Sequence, residues 1–365
     1  MGIGAPRRSP TSHSITHDGD DVLRARITLL LIVLGAGAFA LGRWSEHRDA
    51  PANMASKTSV IAMQPARTTL APRAQPAHDD THDADAQGLD PVASYEDLMY
   101  AQPDMIDSSL ARLHSQTPGK IDLYALGFAG DGGEPPFRNE VDYLQKLLAQ
   151  RFGADGRTLQ LINSPKTFKT APLATRTNLY ESLAGIATKM DVNEDILLLF
   201  LTSHGSEDHE LYVEMGAMPL DQLTPENIRD ALDAAHIRWR IVVVSACYSG
   251  GFIPALREPH TMIITAARAD RASFGCGTDS QITWFGKAFL TEALDQTTDF
   301  HDAFLRTRTI IAGWEKRDHQ TPSEPQYWAG TEIGKKLDAW RASLPPAAEV
   351  AFHPAPGGVA HRGAR

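Results

Sequence analysis

Short apolar runs alternate with longer amphipathic stretches through the middle of the chain. The runs at 121–128, 159–162, 196–201, 241–244 and 262–265 predict β-strands, and the third and fourth of them contain no polar residue. Strands that are apolar at every position are typical of a sheet that is covered on both faces. The pattern therefore predicts a largely buried sheet.

Helical spacing of apolar residues separates and follows these runs. The predicted helices span 139–151, 178–190, 225–236, 284–294 and 300–315. Pro225, which follows Thr224, occupies the first helical position of the third one, where proline is favoured. Repeated alternation of strand and helix predicts an α/β fold, with a mostly parallel sheet between two helical layers.

The amino-terminal part of the chain has a different pattern. Residues 1–26 are polar and are expected to form a disordered tail. Residues 27–44 begin with an almost wholly apolar stretch and predict either a transmembrane anchor or the core of a signal peptide. The apolar stretch of sixteen residues is short for an anchor, since it would span about 24 Å of the roughly 30 Å hydrocarbon layer. The long polar tail before this stretch and its extension to Trp44 favour the anchor, and the signal peptide is the alternative.

The anchor interpretation predicts a single-pass membrane protein whose bulk lies in a periplasm. The signal interpretation predicts secretion to the periplasm after cleavage. Similar numbers of Lys and Arg flank the two ends of 27–44, so the charge bias does not fix the orientation. Residues 45–93 are rich in Pro and Ala and predict a linker, 94–342 a globular domain, and 343–365 a disordered tail. The His and Asp residues of 78–85 are expected to be solvated rather than to bind a metal.

Composition and charge remove several classes of function. A net charge of −10 without a Lys/Arg-rich run argues against nucleic acid as a partner. The only two cysteines, Cys247 and Cys276, exclude a disulfide scaffold and a four-cysteine zinc site. They leave one disulfide, buried thiols or a reactive thiol. No cofactor is predicted, because the glycine-rich segment 127–133 has neither the P-loop pattern nor dinucleotide-binding spacing.

Two predicted strands end in residues that are able to perform chemistry. His204 and Gly205 follow the strand at 196–201, and Cys247 follows the strand at 241–244. If these strands are neighbours in a parallel sheet, His204 and Cys247 face each other at its carboxyl edge. A thiol beside a histidine is the arrangement of a nucleophile with its general base. The backbone amides of Gly205 and Cys247 are then candidates for an oxyanion hole.

The stretches LTSHGSEDH at 201–209 and SACYSGG at 245–251 resemble motifs of the legumain-type cysteine peptidases. That family has a caspase-like fold and includes the catalytic subunit of the glycosylphosphatidylinositol transamidase; bacterial members with an N-terminal hydrophobic segment are similar. The resemblance covers about 120–330. It implies a caspase/legumain-like sandwich and a cysteine endopeptidase, or a related transamidase, that acts on a peptide or protein. It also implies that His204 is the general acid and base and Cys247 the nucleophile.

The resemblance further implies a substrate pocket, and here the chain departs from the family. Arg138 matches an arginine that reads the side chain before the cleaved bond, and Ser273 matches a pocket wall. Ser245 stands where the family has an acid, and a second pocket acid is replaced near Thr283. A pocket that keeps Arg138 and loses its acids is expected to favour an acidic side chain before the cut.

Other interpretations stay open. The asparagine that supports the catalytic histidine in the family falls near Pro136, so the sequence predicts no third catalytic residue. One alternative is therefore a catalytically silent protein that binds a protein partner, and another is a serine hydrolase that uses Ser249. Cys276 is expected to be a buried thiol, and a disulfide between it and Cys247 would silence the nucleophile. The sequence does not predict the oligomeric state.

Overall fold

The fold is built around one sheet of six strands in the computed structural model, which describes residues 1–2, 94–346 and 348–354. The spatial order is β2-β1-β3-β4-β5-β6, with the first five strands parallel and β6 antiparallel to β5. The strands are β1 Leu123–Ala129, β2 Thr158–Ile162, β3 Ile196–Thr202, β4 Trp239–Ser245, β5 Thr261–Thr265 and β6 Gln326–Ala329.

Nine helices accompany the sheet within the described ranges. They are α1 Tyr95–Tyr100, α2 Gln102–Ala111, α3 Pro135–Arg151, α4 Arg176–Ala187, α5 Pro225–Ala234, α6 Ile253–Leu256, α7 Trp284–Gly286, α8 Phe300–Arg317 and α9 Ile333–Arg341. A 3₁₀ turn, Ser249–Phe252, precedes α6, and a π-helical segment, Lys287–Ala293, continues α7. The start of α5 has the predicted signature, since Thr224 and Asn227 form a reciprocal capping box.

The period of two along each strand divides its side chains between two buried clusters. In β3, Ile196, Leu198 and Phe200 join the cluster under α3, α8 and α9. Leu197 and Leu199 join the cluster under α4 and α5. Each buried leucine of this kind stabilises the fold by roughly 1.5–3 kcal/mol. Two apolar faces explain the continuous apolar runs and confirm the predicted three-layer α/β fold.

Several elements were not predicted from the apolar pattern. The short helices α1 and α2 bury few apolar side chains, among them Leu98 and Ile106. The edge strand β6 has four residues and is only partly buried. In contrast, α9 buries Ile333, Leu337 and Trp340 at helical spacing, which was a usable signal.

The predicted amino-terminal tail, anchor segment and linker lie outside the described residues, apart from Met1 and Gly2. Within the ranges that the structure covers, no helix is long and apolar enough to cross a membrane. The orientation and membrane predictions therefore stay predictions.

The segment after α9 differs from the expectation of a disordered tail that begins at Ser343. Val350 is buried, its N–H donates to Asp295 Oδ1 at 2.6 Å, and its carbonyl accepts from Tyr143 Oη at 2.8 Å. Phe352 packs edge-on against the Tyr143 ring. A proline-rich segment with two isolated apolar residues has no periodicity that would reveal this packing. The boundary at 343 is therefore corrected for the described part of the segment.

We predict that a chain ending at Leu344 is less stable than a chain ending at Pro354. Loss of the buried Val350 side chain and of its two hydrogen bonds should lower the free energy of unfolding by about 2–4 kcal/mol. Urea denaturation of both chains and of the full-length protein measures the difference. Equal midpoints for all three would contradict a structural role for the segment that contains Val350.

Candidate active site

Parallel pairing brings the two predicted chemical residues to one edge of the sheet. Thr202 at the end of β3 is the register partner of Ser245 at the end of β4. His204 and Cys247 each follow two residues later, so both leave the sheet at the same level. A Cβ atom on Gly205 would overlap the Cys247 carbonyl, and only glycine permits this approach of the two backbones.

A tight turn carries Cys247 out of β4. Tyr248 has a left-handed conformation with φ of 56°, which costs a non-glycine residue about 1–2 kcal/mol. Its N–H donates to the Arg271 carbonyl at 2.7 Å and holds the turn against the loop after β5. Ser249 comes next and is fully buried, with its Oγ accepting the Ala267 N–H at 3.1 Å. Ser249 is therefore a structural residue, and the serine-hydrolase alternative is wrong.

Neighbouring hydrogen-bond donors stabilise Cys247 as a thiolate. The Ser273 N–H donates to Cys247 Sγ at 3.2 Å, and Sγ lies 3.6 Å from the Ser273 carbonyl oxygen. The pKa of Cys247 is lowered to about 6, chiefly by the hydrogen bond from the Cys276 thiol and against the opposing effect of burial. Cys247 is then largely a thiolate at neutral pH. Among the described residues, no hydrogen bond joins Cys247 to His204.

Asp131 is the nearest charged partner of His204. Its Oδ2 lies 3.6 Å from His204 Nε2, and its side chain is 5% exposed against 36% for the histidine. The Gly133 N–H donates to Asp131 Oδ1 at 2.7 Å and fixes the carboxylate. The Phe137 ring packs edge-on against the imidazole, with ring centroids 5.1 Å apart. Sequence analysis missed Asp131, although a carboxylate just beyond a buried strand was the available signal.

Two further carboxyl groups lie in the field of His204. Burial raises the pKa of both Glu134 and Glu214, and the charge of Asp131 raises them further. The charge of His204 acts in the opposite direction on both. Three carboxyl groups, those of Asp131, Glu134 and Glu214, therefore surround this part of the site.

A small cavity beside Cys247 contains two of the three predicted substrate-binding residues. Its volume is about 10 Å³, roughly the space of one water molecule. Ser245 and Ser273 line it, together with Phe274 and Thr283. Both lie beside Cys247, and their part in substrate binding stays a prediction.

Arg138 does not reach that cavity. It is 7% exposed, donates through Nη2 to Asn139 Oδ1 at 3.3 Å, and lines a separate cavity of about 180 Å³ with Glu134 and Ser164. The expectation that Arg138 reads the substrate side chain next to Cys247 therefore has no support in this arrangement. The physical reason is the orientation of α3, which directs a different side chain towards Thr283, one of the residues that line the cavity.

That side chain is Glu140, which sequence analysis did not single out. It is fully buried, and its Oε2 accepts from Thr202 Oγ1 at 2.6 Å while its Oε1 accepts the Thr283 N–H at 2.9 Å. Ser245 Oγ lies 3.3 Å from Thr283 Oγ1 and also interacts with the carboxyl group. Burial raises the pKa of Glu140 against these hydrogen bonds. A buried carboxyl group with a raised pKa thus supports Thr283, one of the residues that line the cavity.

A comparison with models of known protein families supports the resemblance that the sequence motifs indicate. Residues 174–335 match the model of the Peptidase C13 family, the legumain family. The matched span includes His204 and Cys247, whereas Asp131 and Glu140 lie before it. The resemblance to legumain-type cysteine peptidases is confirmed, and the α/β sheet is consistent with their caspase/legumain-like fold. A search of curated proteins finds no match to the chain.

We predict that Glu140→Gln removes a pH-dependent loss of stability. Burial raises the pKa of Glu140 in the folded state, so the wild type loses stability as pH rises from about 4.3, the pKa in an unfolded chain, through the folded-state value. The glutamine variant lacks this proton and should gain stability relative to the wild type over the same interval. Urea denaturation at a series of pH values measures the difference.

Glu140→Leu is the control for that experiment. It keeps the volume but leaves the Thr283 N–H and the Thr202 hydroxyl without an acceptor, which should cost about 2–4 kcal/mol. Parallel pH profiles for the wild type and Glu140→Gln would contradict the raised pKa. A stable leucine variant would contradict the role of the hydrogen bonds.

Proposed function

We propose, because residues 174–335 match the model of the Peptidase C13 family of cysteine peptidases, that this chain is an endopeptidase with Cys247 as nucleophile and His204 as general acid and base. The observation that carries the proposal is the placement of Cys247 and His204 at one sheet edge, with the Ser273 N–H donating to Cys247 Sγ. The lowered pKa of Cys247 supports it. An ionised thiol needs no base to activate it, so His204 has its main task later in the reaction.

The reaction begins with attack of the Cys247 thiolate on the carbonyl carbon of the peptide bond. A carbon–sulfur bond forms, and the carbonyl oxygen gains a negative charge. The amides of Gly205 and Cys247 are the proposed donors to that oxygen, which the close approach of the two backbones supports. The carbon–nitrogen bond then breaks, and His204 gives its proton to the departing amine.

Water completes hydrolysis of the acyl-enzyme. His204 takes a proton from the water, the resulting hydroxide attacks the thioester carbonyl, and the Cys247 thiolate leaves. If an amine intercepts the acyl-enzyme in place of water, the same residues perform transamidation. Contact of Cys247 with Ser273 and Cys276 rather than with His204 describes the site without substrate, in which catalytic hydrogen bonds are often longer than in the complex.

Asp131 is the proposed third member of the site. Its carboxylate faces Nε2 of His204, which leaves Nδ1 as the nitrogen that exchanges protons with the reacting groups. The carboxylate orients the ring and stabilises the imidazolium form. The family's asparagine, which supports the catalytic histidine, is absent near Pro136. Asp131 is proposed to support His204 in its place, from a different part of the fold.

The pocket argues for a short, uncharged side chain before the cleaved bond rather than an acidic one. The volume of about 10 Å³ admits only a small group without movement of the walls. The hydroxyl groups of Ser245 and Thr283 supply polar contacts, and Glu140 behind them supplies no positive charge. The guanidinium of Arg138, which would have favoured an acid, lines another cavity.

The cellular location of the protein is a separate proposal that rests on the sequence alone. We propose that residues 27–44 hold the chain in a membrane, with the peptidase domain on the periplasmic side and with secretion after signal cleavage as the alternative. Substrates would then be peptides or proteins of the periplasm or the membrane surface.

We predict that full-length reduced protein cleaves a peptide library that varies the residue before the cut. Cys247→Ala should lower cleavage by at least about 10³-fold while leaving the folded state intact, because it removes the nucleophile. Mass spectrometry of the products, with and without added amine, identifies the cut positions and separates hydrolysis from transamidation. Preference for Asp or Glu would contradict the proposed pocket. Absence of cleavage, with Cys247 inert to thiol-reactive peptide probes, would favour the silent binding protein.

We predict that Asp131→Asn lowers kcat roughly 10- to 100-fold with little change in KM, because the amide cannot stabilise the imidazolium. Asp208→Asn is the matched control, since Asp208 is an exposed carboxylate on the loop that follows His204. Steady-state kinetics across pH for both variants is the measurement. Equal kinetics for the two variants would show that Asp131 does not support His204.

A further inference from the structure

The two cysteines of this chain meet at the candidate active site. They are the only cysteines in the sequence, and both are free thiols. Cys247 lies in the turn after β4, whereas Cys276 lies in the loop between β5 and α7, 29 residues later in the chain. Both line the same cavity of about 10 Å³. Two segments that are distant in sequence therefore place their cysteines next to the same cavity.

The two cysteines line one small cavity, and each changes the pKa of the other. The neighbouring Cys276 thiol lowers the pKa of Cys247 to about 6. Cys247 and burial together raise the pKa of Cys276 well above the usual range of a thiol. The thiolate form is therefore favoured at Cys247 and the protonated form at Cys276. Redox-sensing sites have this arrangement, in which a low-pKa, accessible cysteine lies next to a resolving cysteine.

We propose that Cys247 and Cys276 form an oxidative modification site, in which a peroxide oxidises Cys247 and Cys276 resolves it as a reversible disulfide. The loss of activity that follows rests on the proposed peptidase function, whereas formation of the disulfide does not. The disulfide removes the thiolate that attacks the substrate and so switches the peptidase off without destroying it.

The chemistry balances with a peroxide as the only oxidant. The Cys247 thiolate attacks one oxygen of hydrogen peroxide, the oxygen–oxygen bond breaks, and a sulfenic acid and hydroxide form. Cys276 then attacks the sulfenic sulfur and loses its proton, and a sulfur–sulfur bond forms with release of water. The two thiols lose two electrons in total, and the peroxide is reduced to two molecules of water.

The loop around Cys276 permits the final approach of the sulfurs. Cys276 lies in a segment without helix or strand, next to Gly275, which has a left-handed φ of 77°. On its other side, a Cβ atom on Gly277 would meet no atom within 4 Å. In contrast, Cys247 is held by the turn at the end of β4, where the Tyr248 N–H is bonded to Arg271. Closure of the disulfide therefore needs movement of the Cys276 loop and not of the sheet.

The test uses the full-length chain, its Cys276→Ser variant and its Cys247→Ser variant, each treated with hydrogen peroxide in the presence and absence of later dithiothreitol. The wild type should become lighter by two hydrogen atoms, with a Cys247–Cys276 cross-linked peptide in the non-reduced digest. Dithiothreitol should then restore both thiols and the peptidase activity. Cys276→Ser should instead accumulate sulfinic acid on Cys247 and recover roughly tenfold less activity, because no resolving thiol is present.

Two results would overturn the proposal. One is sulfinic or sulfonic acid on Cys247 in the wild type while Cys276 stays a free thiol. The other is a disulfide between two chains in place of one within the chain. Because the disulfide is read by mass, its formation in a protein without peptidase activity would refute the proposed function and keep the modification site. Peptidase activity without formation of the disulfide would refute the modification site and keep the proposed function.

Discussion

The buried carboxyl group of Glu140 links the ends of two strands and the loop that faces them. It accepts hydrogen bonds from Thr202 at the end of β3 and from the Thr283 backbone, and it interacts with Ser245 at the end of β4. Both faces of these strands are apolar, so hydrophobic burial alone distinguishes poorly between alternative registers. A polar contact at one end of the pair specifies the register that burial leaves open. His204 and Cys247 depend on that register, because each follows its strand by two residues.

The same link divides the electrostatics of the site into two halves. On the Cys247 side, the contacts are neutral donors, namely the Ser273 amide and the Cys276 thiol, and they stabilise negative charge on sulfur. On the His204 side, the nearest charged group is the Asp131 carboxylate. The contacts that surround Cys247 are therefore different in charge from those that surround His204. The two side chains are held by separate neighbours and not by each other.

Sequence reasoning predicted the positions that follow from strand order and missed the side chains that are placed by long-range contacts. His204 and Cys247 were predictable because a polar residue directly after an apolar strand must lie at the sheet edge. Glu140 contacts Thr202 across 62 positions, and nothing local in α3 marks it as a pocket residue. Arg138 shows the reason. Residues two positions apart on a helix point in nearly opposite directions, so only one of Arg138 and Glu140 can turn towards Thr202 and Thr283. The sequence does not determine how α3 is rotated about its own axis, and that rotation decides which of the two side chains turns inwards.

That rotation changes the chemistry that the pocket can select. In the pattern of the family, acids lie at the strand end and near Thr283, and an arginine balances them. Here the acid that contacts Thr283 is Glu140 of α3, whose pKa is raised by burial, and the guanidinium of Arg138 lines a different cavity. None of the residues that line the cavity beside Cys247 is a cation. An acidic substrate side chain would enter that cavity without a compensating positive charge and would lose its hydration in doing so. The proposed preference for a short, uncharged side chain rests on this electrostatic cost and on the small volume of the cavity.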